Sequence, residues 1–296
     1  MSKIYNINNH LMEYNNNCIN YKVNPNPLNL PANTIRIKFL SGYRPTMGDT
    51  QTRVTSYQDN VWDIYIQSNV WEDLFFRNSY VTEVLGANTT NVTNMVRLFG
   101  MCVQLTKVAL FDTSNVTDMT MMFDTCYKLN SVPLFDMKNV TNCSWMFYNC
   151  NLLNNIPLFD TSNVTDMNQM FNHCYNITTV PLFDTSKVTT IDQMFSYCTS
   201  LTSVPSFDTS NVTSMNNTFS VCSSLNYITL FDTSKVTNMA SMFYGCTNVQ
   251  SGALAFYQQA STQTIPPTNH NGTFHNCGIN TQTGSAELSQ IPSDWK

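Results

Sequence analysis

Seven cysteines stand at Cys102, Cys126, Cys150, Cys174, Cys198, Cys222 and Cys246, a constant step of 24 residues with no insertion or deletion. Phe99, Phe123, Phe147, Phe171, Phe195, Phe219 and Phe243 keep that step three residues earlier. A second series runs Phe111, Phe135, Phe159, Phe183, Phe207 and Phe231, each followed by Asp. A fixed period of roughly 20–30 residues means that one unit cannot bury its apolar face alone and must stack on its neighbours, so the chain reads as a repeat solenoid. Within a unit, Leu129, Val132 and Leu134 lie in an extended stretch, while Val116, Met119, Met122, Phe123 and Cys126 recur at helical spacing. Each coil is therefore expected to be a short β-strand followed by a short helix, an α/β repeat. Ser and Thr of the DTSNVT segment stand where they would cap that helix. Pro133, Pro157, Pro181 and Pro205 share one strand position and lack an N–H, which keeps the strand short or bonded on one side. In coils spaced about 4.8 Å apart, every repeat position becomes a column, with Leu, Val, Phe, Met and Cys columns inside and Asn, Thr and Ser columns outside.

The columns are where chemistry would reside. A metal site needs ligands that converge on a point, whereas the cysteines are strung along a line. Seven members also leave one unpaired, so burial as small hydrophobes is the expectation, and Cys18, Cys143 and Cys277 do not change it. Cys277 closes a degenerate copy of the unit, TFHNC. Asp112, Asp136, Asp160, Asp184, Asp208 and Asp232 form the one charged column. Carboxylates about 5 Å apart repel by about 3 kcal/mol per pair at an effective dielectric of 20, so they must either bind a row of cations such as calcium or accept N–H bonds from the turn that follows each of them. The turn is the favoured reading, because calcium-binding repeats are richer in Gly and Asp. Met119, Met122, Met146, Met167, Met170, Met194, Met215, Met239 and Met242 read as core filler beside Phe. The N-x-S/T sequons at Asn91, Asn115, Asn139, Asn163 and Asn211 ride on the unit's NVT, and glycosylation is not expected there. His10, His173, His270 and His275 lie in no catalytic motif, and neither a phosphate-binding glycine loop nor an HExxH occurs. No catalytic, cofactor-binding or metal-ligating residue is assigned, no cofactor is implied, and the chain is read as a non-enzyme.

Composition removes other classes. Charged residues are 11% of the 296 and net charge is −5 with 14 Lys plus Arg, so a basic surface for nucleic acid is missing. Solubility instead rests on 39 Asn with abundant Ser and Thr, since a charged outer position repeated in every coil would become a column of like charges. The longest apolar runs fall short of a membrane span, and the opening MSKIYNINNH has no apolar core of a secretion signal. Residues 1–79 read as an N-terminal cap or attachment region, 80–251 as the solenoid, and 252–296 as a C-terminal cap with one degenerate repeat. In the first, Thr34–Leu40 and Val61–Ile66 alternate like strands and Val70–Phe76 looks helical, with Trp62, Trp71, Phe75 and Phe76 expected to cover the open end of the core. In the last, Gly252–Ser261 reads as a helix, and Leu288, Ile291 and Trp295 are expected to shield the final coil.

The units LFDTSNVTDMTMMF and SMFYGCTNV resemble the BspA-like leucine-rich repeats of mycoplasma and gut-bacterial surface proteins, over about residues 80–277. The resemblance implies a right-handed leucine-rich-repeat-type solenoid and non-enzymatic surface or adhesion roles. The passage LPANTIRIKFLSGYRPTMGDTQTRVTSYQDNVWDIY and the closing IPSDWK are similar to proteins of crAss-like tailed phages of gut Bacteroidales. This implies a virion structural or fibre-type protein that meets other virion proteins (capsid, tail or fibre) through an end region and meets a host-surface glycan or protein through the repeats. A homo-oligomer fits such a role; nucleic acid and membrane insertion do not. The alternative is a bacterial cell-surface adhesin, located at the cell surface rather than on a virion.

Overall fold

The computed structural model describes residues 28–43, 45 and 60–296 with their side chains, and the backbone alone of four further strands between residues 3 and 58. Coils of 24 residues lie on one another as parallel neighbours. Isolated bridges link Val70 to Asn94, Asn94 to Asp118, and so on through Asn142, Asp166, Thr190, Ser214 and Asn238 to Asn269. The last step covers 31 residues rather than 24 because an insertion precedes the degenerate copy.

The helix expected in each coil does not form. Its place is taken by overlapping turns in which Leu98 N–H donates to Met95 O, Gly100 to Arg97 O, Cys102 to Phe99 O and Leu105 to Cys102 O. The alternate N–H groups leave the coil altogether: those of Met95, Arg97, Phe99 and Met101 donate to Asp118, Thr120, Met122 and Asp124 of the next one, at 3.1, 2.9, 2.9 and 2.6 Å. A helix would consume those donors internally; here they join the coils. Two residues per coil adopt the left-handed conformation, for example Gln169 (φ 55) with His173 (φ 62), which an α-helix does not admit. Trp145, Gln193 and Asn217 share the first of these columns, and Asn149, Tyr197 and Val221 the second. Each costs a non-glycine residue roughly 1–2 kcal/mol, held in place by the intercoil ladder around it. A three- to four-residue spacing of apolar side chains is thus common to a helix and to this chain of turns.

The strand shrinks as well. In the proline-bearing coils, Phe135, Phe159, Phe183 and Phe207 donate their N–H back to the carbonyls of Pro133, Pro157, Pro181 and Pro205, each at 3.0 Å, so neither residue of the pair extends a ladder. Where Ala109 stands instead of proline, its N–H reaches Val84 O at 2.8 Å, and a two-residue strand forms beside it.

Ring stacking marks the core. Phe75, Phe99, Phe123, Phe147, Phe171, Phe195, Phe219, Phe243 and Phe274 form one continuous column with neighbouring centroids 5.5–5.8 Å apart. The second phenylalanine series packs against it, as in Phe171 with Phe183 at 6.1 Å. Leucines do not all follow inward: Leu129 is buried, but Leu134, placed with it in sequence, is 54% exposed.

Among the described residues, eight strands are defined. β1 (Lys3–Ile7), β2 (His10–Asn15) and β3 (Cys18–Val23) form an antiparallel sheet. β4 (Thr34–Phe39), β5 (Thr52–Gln58), β6 (Val61–Ile66), β7 (Val81–Asn88) and β8 (Lys107–Val108) form a second in the order β5-β6-β4-β7-β8. Its last pair, β7 with β8, is parallel, so this sheet runs directly into the stacked coils. Arg36 on β4 holds Asp63 on β6 through two bonds of 2.6 and 2.7 Å. The helix expected over Val70–Phe76 is instead the first set of turns: Trp71 N–H donates to Asn94 O and Phe75 N–H to Leu98 O, and the coil stack begins at Val70, ten residues ahead of the boundary drawn at 80. Trp71 and Phe75 therefore occupy core columns rather than a lid over them. Phe76 is half-buried beneath Arg77 and Arg97, and Trp62 packs against the core only in part.

At the other end, α1 (Ala253–Thr262) arises within the insertion, and α2 (Gln282–Ser289) and a 3-10 turn at Ser293–Trp295 follow the degenerate copy. Phe256 of α1 meets Phe243 at 5.3 Å and Phe274 at 6.2 Å, edge-on, at 84° and 74°. The column of near-parallel rings runs on past Phe274 to Trp295, 6.3 Å away at 24°, while Phe256 packs edge-on against it. Among the described residues, no helix is long and apolar enough to cross a membrane.

Candidate functional site

The aspartate column is absorbed by the fold. Oδ1 of Asp112, Asp136, Asp160, Asp184, Asp208 and Asp232 accepts the N–H two residues on, from Ser114, Lys138, Ser162, Ser186, Ser210 and Ser234, at 2.8–3.2 Å. These are Asx turns, in line with the favoured sequence reading. The Ser186 and Ser210 hydroxyls, then their N–H groups, hold Asp184 and Asp208 below the ordinary carboxylate value, and the Ser234 N–H does the same for Asp232. Lysine offsets repulsion locally, with Lys138 Nζ 3.2 Å from Asp136. Just beyond each Asp a buried Thr reaches the next coil: Thr113, Thr161, Thr185 and Thr209 donate to the backbone carbonyls of Asp136, Asp184, Asp208 and Asp232 at 2.8 Å.

The cysteine column does more than fill space. Each thiol donates to a phenylalanine carbonyl 27 residues earlier, from Cys102 to Phe75 at 3.1 Å through Cys174 to Phe147 at 3.0 Å to Cys246 with Phe219 at 3.0 Å. All nine described cysteines are free and buried. Burial pushes every one of these thiols up, Cys246 to about 12, so none is a ready nucleophile. Among the described residues no group of three metal-ligating side chains converges.

Amides and hydroxyls form the outer ladders. The sequon amides of Asn115, Asn139, Asn163 and Asn211 donate to carbonyls of Thr90, Ser114, Lys138 and Ser186 in the preceding coil at 2.6–2.8 Å. Two residues on, exposed Thr117, Thr141, Thr165, Thr189, Thr213 and Thr237 each donate Oγ1 to the backbone of the threonine one coil earlier, at 3.1–3.4 Å.

Two outward features go beyond what the repeat requires. Leu134, Leu158, Leu182 and Leu230 are 54, 60, 59 and 45% exposed and make an apolar ridge interrupted by Ser206. On the turn side, aromatic rings connect across coils: Trp145 to Tyr148 at 4.8 Å, Tyr148 to His173 at 5.7 Å, and His173 to Tyr197 face to face at 4.4 Å, with Tyr175 edge-on to His173 at 5.8 Å. His173 Nδ1 lies 2.5 Å from Asn172 Oδ1, and partial burial lowers the imidazole's proton affinity. Neither feature was singled out from the sequence. The leucine ridge is part of the shared unit, whereas the aromatic run marks departures from it, such as Trp145 in a column that also holds Arg97, Met121, Gln169, Gln193, Asn217 and Ser241.

The sequence matches the family described as "Mycoplasma protein of unknown function, DUF285" over residues 70–181 and again over 175–283. The chain belongs to that family. The first DUF285 match starts at Val70, where the bridge ladder starts, and the second runs past Cys277 of the degenerate copy. DUF285 is the BspA-type repeat that the units resemble. A crystal structure of a leucine-rich repeat protein from Eubacterium ventriosum ATCC 27560 is similar at 18% identity and a TM-score of 0.36, over 65% of this DUF285 chain and 44% of that one. The DUF285 chain thus spans less than half of that protein's length, and a TM-score at this level carries no argument about topology. No curated protein matches the sequence.

Proposed function

We propose that this chain is a non-enzymatic binding scaffold, a leucine-rich-repeat-type solenoid that presents its outer columns to a partner on a biological surface. One observation carries the reading. The side chains that would otherwise be chemical candidates, the aspartate and cysteine columns, are spent on the fold's own hydrogen bonds, while the leucine ridge remains outward and exposed. The DUF285 match supports a surface-protein repeat, for which adhesion or protein interaction is the coarse role. Labelled full-length chain should bind intact gut-bacterial cells saturably and be displaced by unlabelled chain. Linear, non-competable uptake would sink the proposal.

A finer reading places the scaffold on a virion, held by an end region to capsid, tail or fibre proteins and open to homo-oligomerisation. Its support is the sequence texture of residues 30–65 and the closing IPSDWK. Mass spectrometry of purified, salt-washed particles would detect the chain if this is right. Its consistent absence there, with the chain recovered from bacterial envelopes, would favour the cell-surface adhesin.

A further inference from the structure

We propose that Asn271–Gly272 is a site of spontaneous deamidation, left open by the end of the intercoil ladder, and that its product loosens the C-terminal cap.

The two residues continue a pair of columns. Asn271 follows Val96, Thr120, Ser144, Asn168, Asp192, Asn216 and Ala240, and Gly272 follows Arg97, Met121, Trp145, Gln169, Gln193, Asn217 and Ser241. In each of those seven coils the N–H of the second residue donates to the next coil, from Arg97 with Thr120 O at 2.9 Å to Ser241 with Asn271 O at 2.9 Å. Gly272 is the first member with no coil beyond it. Of the N–H groups that the last copy turns outward, that of Phe274 meets Trp295 O at 2.9 Å, whereas among the described residues that of Gly272 has no partner. The exposed Asn271 side chain makes no hydrogen bond among them either. An unpaired main-chain nitrogen thus adjoins an unheld side-chain amide, at the only Asn-Gly pair in the sequence.

The reaction needs only water. Gly272 N gives its proton to solvent and bonds to Asn271 Cγ, the Cγ–Nδ2 bond breaks, and Nδ2 takes up a proton and leaves as ammonia. Water then opens the succinimide ring at either carbonyl to give an aspartate or an isoaspartate, with nothing oxidised or reduced. Glycine at the attacking nitrogen has no Cβ to obstruct ring closure. Asn168 and Asn216 sit in the same column as Asn271, but the nitrogens that follow them, of Gln169 and Asn217, are tied to Asp192 O and Ala240 O at 2.9 Å.

The place of the reaction gives the product its effect. Four rungs in a row join the degenerate copy to the last full coil: Met239, Ser241, Phe243 and Gly245 donate to Asn269, Asn271, Thr273 and His275 at 2.8, 2.9, 2.8 and 2.8 Å. In the isoaspartate the main chain runs through Cβ and Cγ, and the carbonyl that accepts from Ser241 becomes a free carboxylate beside it. One rung leaves the ladder, and the chain beyond it carries an extra backbone atom into the rungs of Phe243 and Gly245. Cys277, 1% exposed, lies behind these rungs in the terminal copy that caps the stack.

The test incubates the full chain, native and urea-denatured, in mildly alkaline buffer and maps by peptide mass spectrometry where NH has been replaced by O. Native Asn271 should react no more than about ten-fold slower than in urea, because no hydrogen bond has to break to free the nitrogen. Gly272→Ala should slow the native reaction about ten-fold or more. That variant should fold as wild type does, since the other seven residues of the column hold φ 51–60 without being glycine and an added Cβ meets nothing nearer than Ser241 Oγ at 3.6 Å. In the aged native chain, Cys277 should be alkylated by iodoacetamide ahead of Cys174. Strong protection of Asn271 in the native chain relative to urea, an unchanged rate in Gly272→Ala, or a Cys277 that stays as protected as Cys174 once Asn271 has reacted would each overturn the proposal.

Discussion

At the scale of the residue, one side chain type does two jobs. A cysteine in each coil fills a buried position as a small hydrophobe and also satisfies a carbonyl of the coil before it. Burial raises the nine described thiols above their ordinary 9.0, with Cys246 near 12. The sign follows from linkage: below about pH 9 both folded and unfolded chains keep their thiols protonated and stability is full. As pH rises past 9 the unfolded chain ionises first, so stability is lost progressively until the folded thiols titrate. Melting temperature should therefore fall between pH 9 and 12, and a Cys-to-Ser change at several coils should flatten that limb. At pH 8, native protein should resist alkylation by iodoacetamide until denaturant is added; rapid labelling of the native chain would mean the thiols are reached from solvent. The carboxylates behave oppositely. Asp184, Asp208 and Asp232 are held low, so their small, solvent-screened contribution is present above about pH 4 and fades as pH falls. Because each Asp already accepts its turn N–H, millimolar calcium or EDTA should leave the melting temperature unchanged. A calcium-dependent rise would show that the column binds cations after all.

At the scale of the element, sequence spacing told the interior from the exterior better than it told the secondary structure. Phe123, Met122 and Cys126 are buried where the 24-residue register put them, because burial depends only on which face a position shares. Whether they sit on a helix depends on where the backbone N–H groups go, and that is decided by the neighbouring coil, which a single unit does not display. Proline was legible in part. Its missing N–H predicted a shortened strand, but the return bond from Phe135 to Pro133 needed the folded backbone to be seen. Leu134 was misplaced for a related reason: alternation around a proline turn is not that of a strand. The aromatic run was the least legible, since averaging the repeat into one unit erases the exceptions at Trp145, His173 and Tyr197. Phe171 is fully buried in the ring column. Phe171→Ala should cost about 3–5 kcal/mol, more than Leu182→Ala on the exposed ridge, which should change stability by less than about 0.5 kcal/mol. Urea unfolding of the two variants measures the contrast.

At the scale of the molecule, stability is distributed over nearest neighbours. Excising residues 166–189, one whole unit, joins Thr165 to Thr190 with both ladder partners retained, and the shortened chain should fold with a lower but still cooperative transition by circular dichroism. Truncation before Gly252 removes Phe256, Phe274, Ile291 and Trp295 together and strips the end of the ring column. That variant should aggregate or unfold at room temperature, as measured by light scattering. Equal tolerance of the two deletions would mean that the ends do not cap the stack.

The bridge ladder from Val70 to Asn238 never slips, and it resumes at Asn269 only after the insertion has been set aside as a helix. A residue added inside a coil has to be looped out of the ladder, as the insertion before Asn269 is, so the stack itself lengthens only in whole coils. The protein is in this sense a ruler with fixed graduations. Unequal exchange between near-identical units would lengthen or shorten it by one coil, about 4.8 Å, moving its two ends apart or together without disturbing what lies between. A lineage could tune the length of the stack in such steps while keeping both ends unchanged.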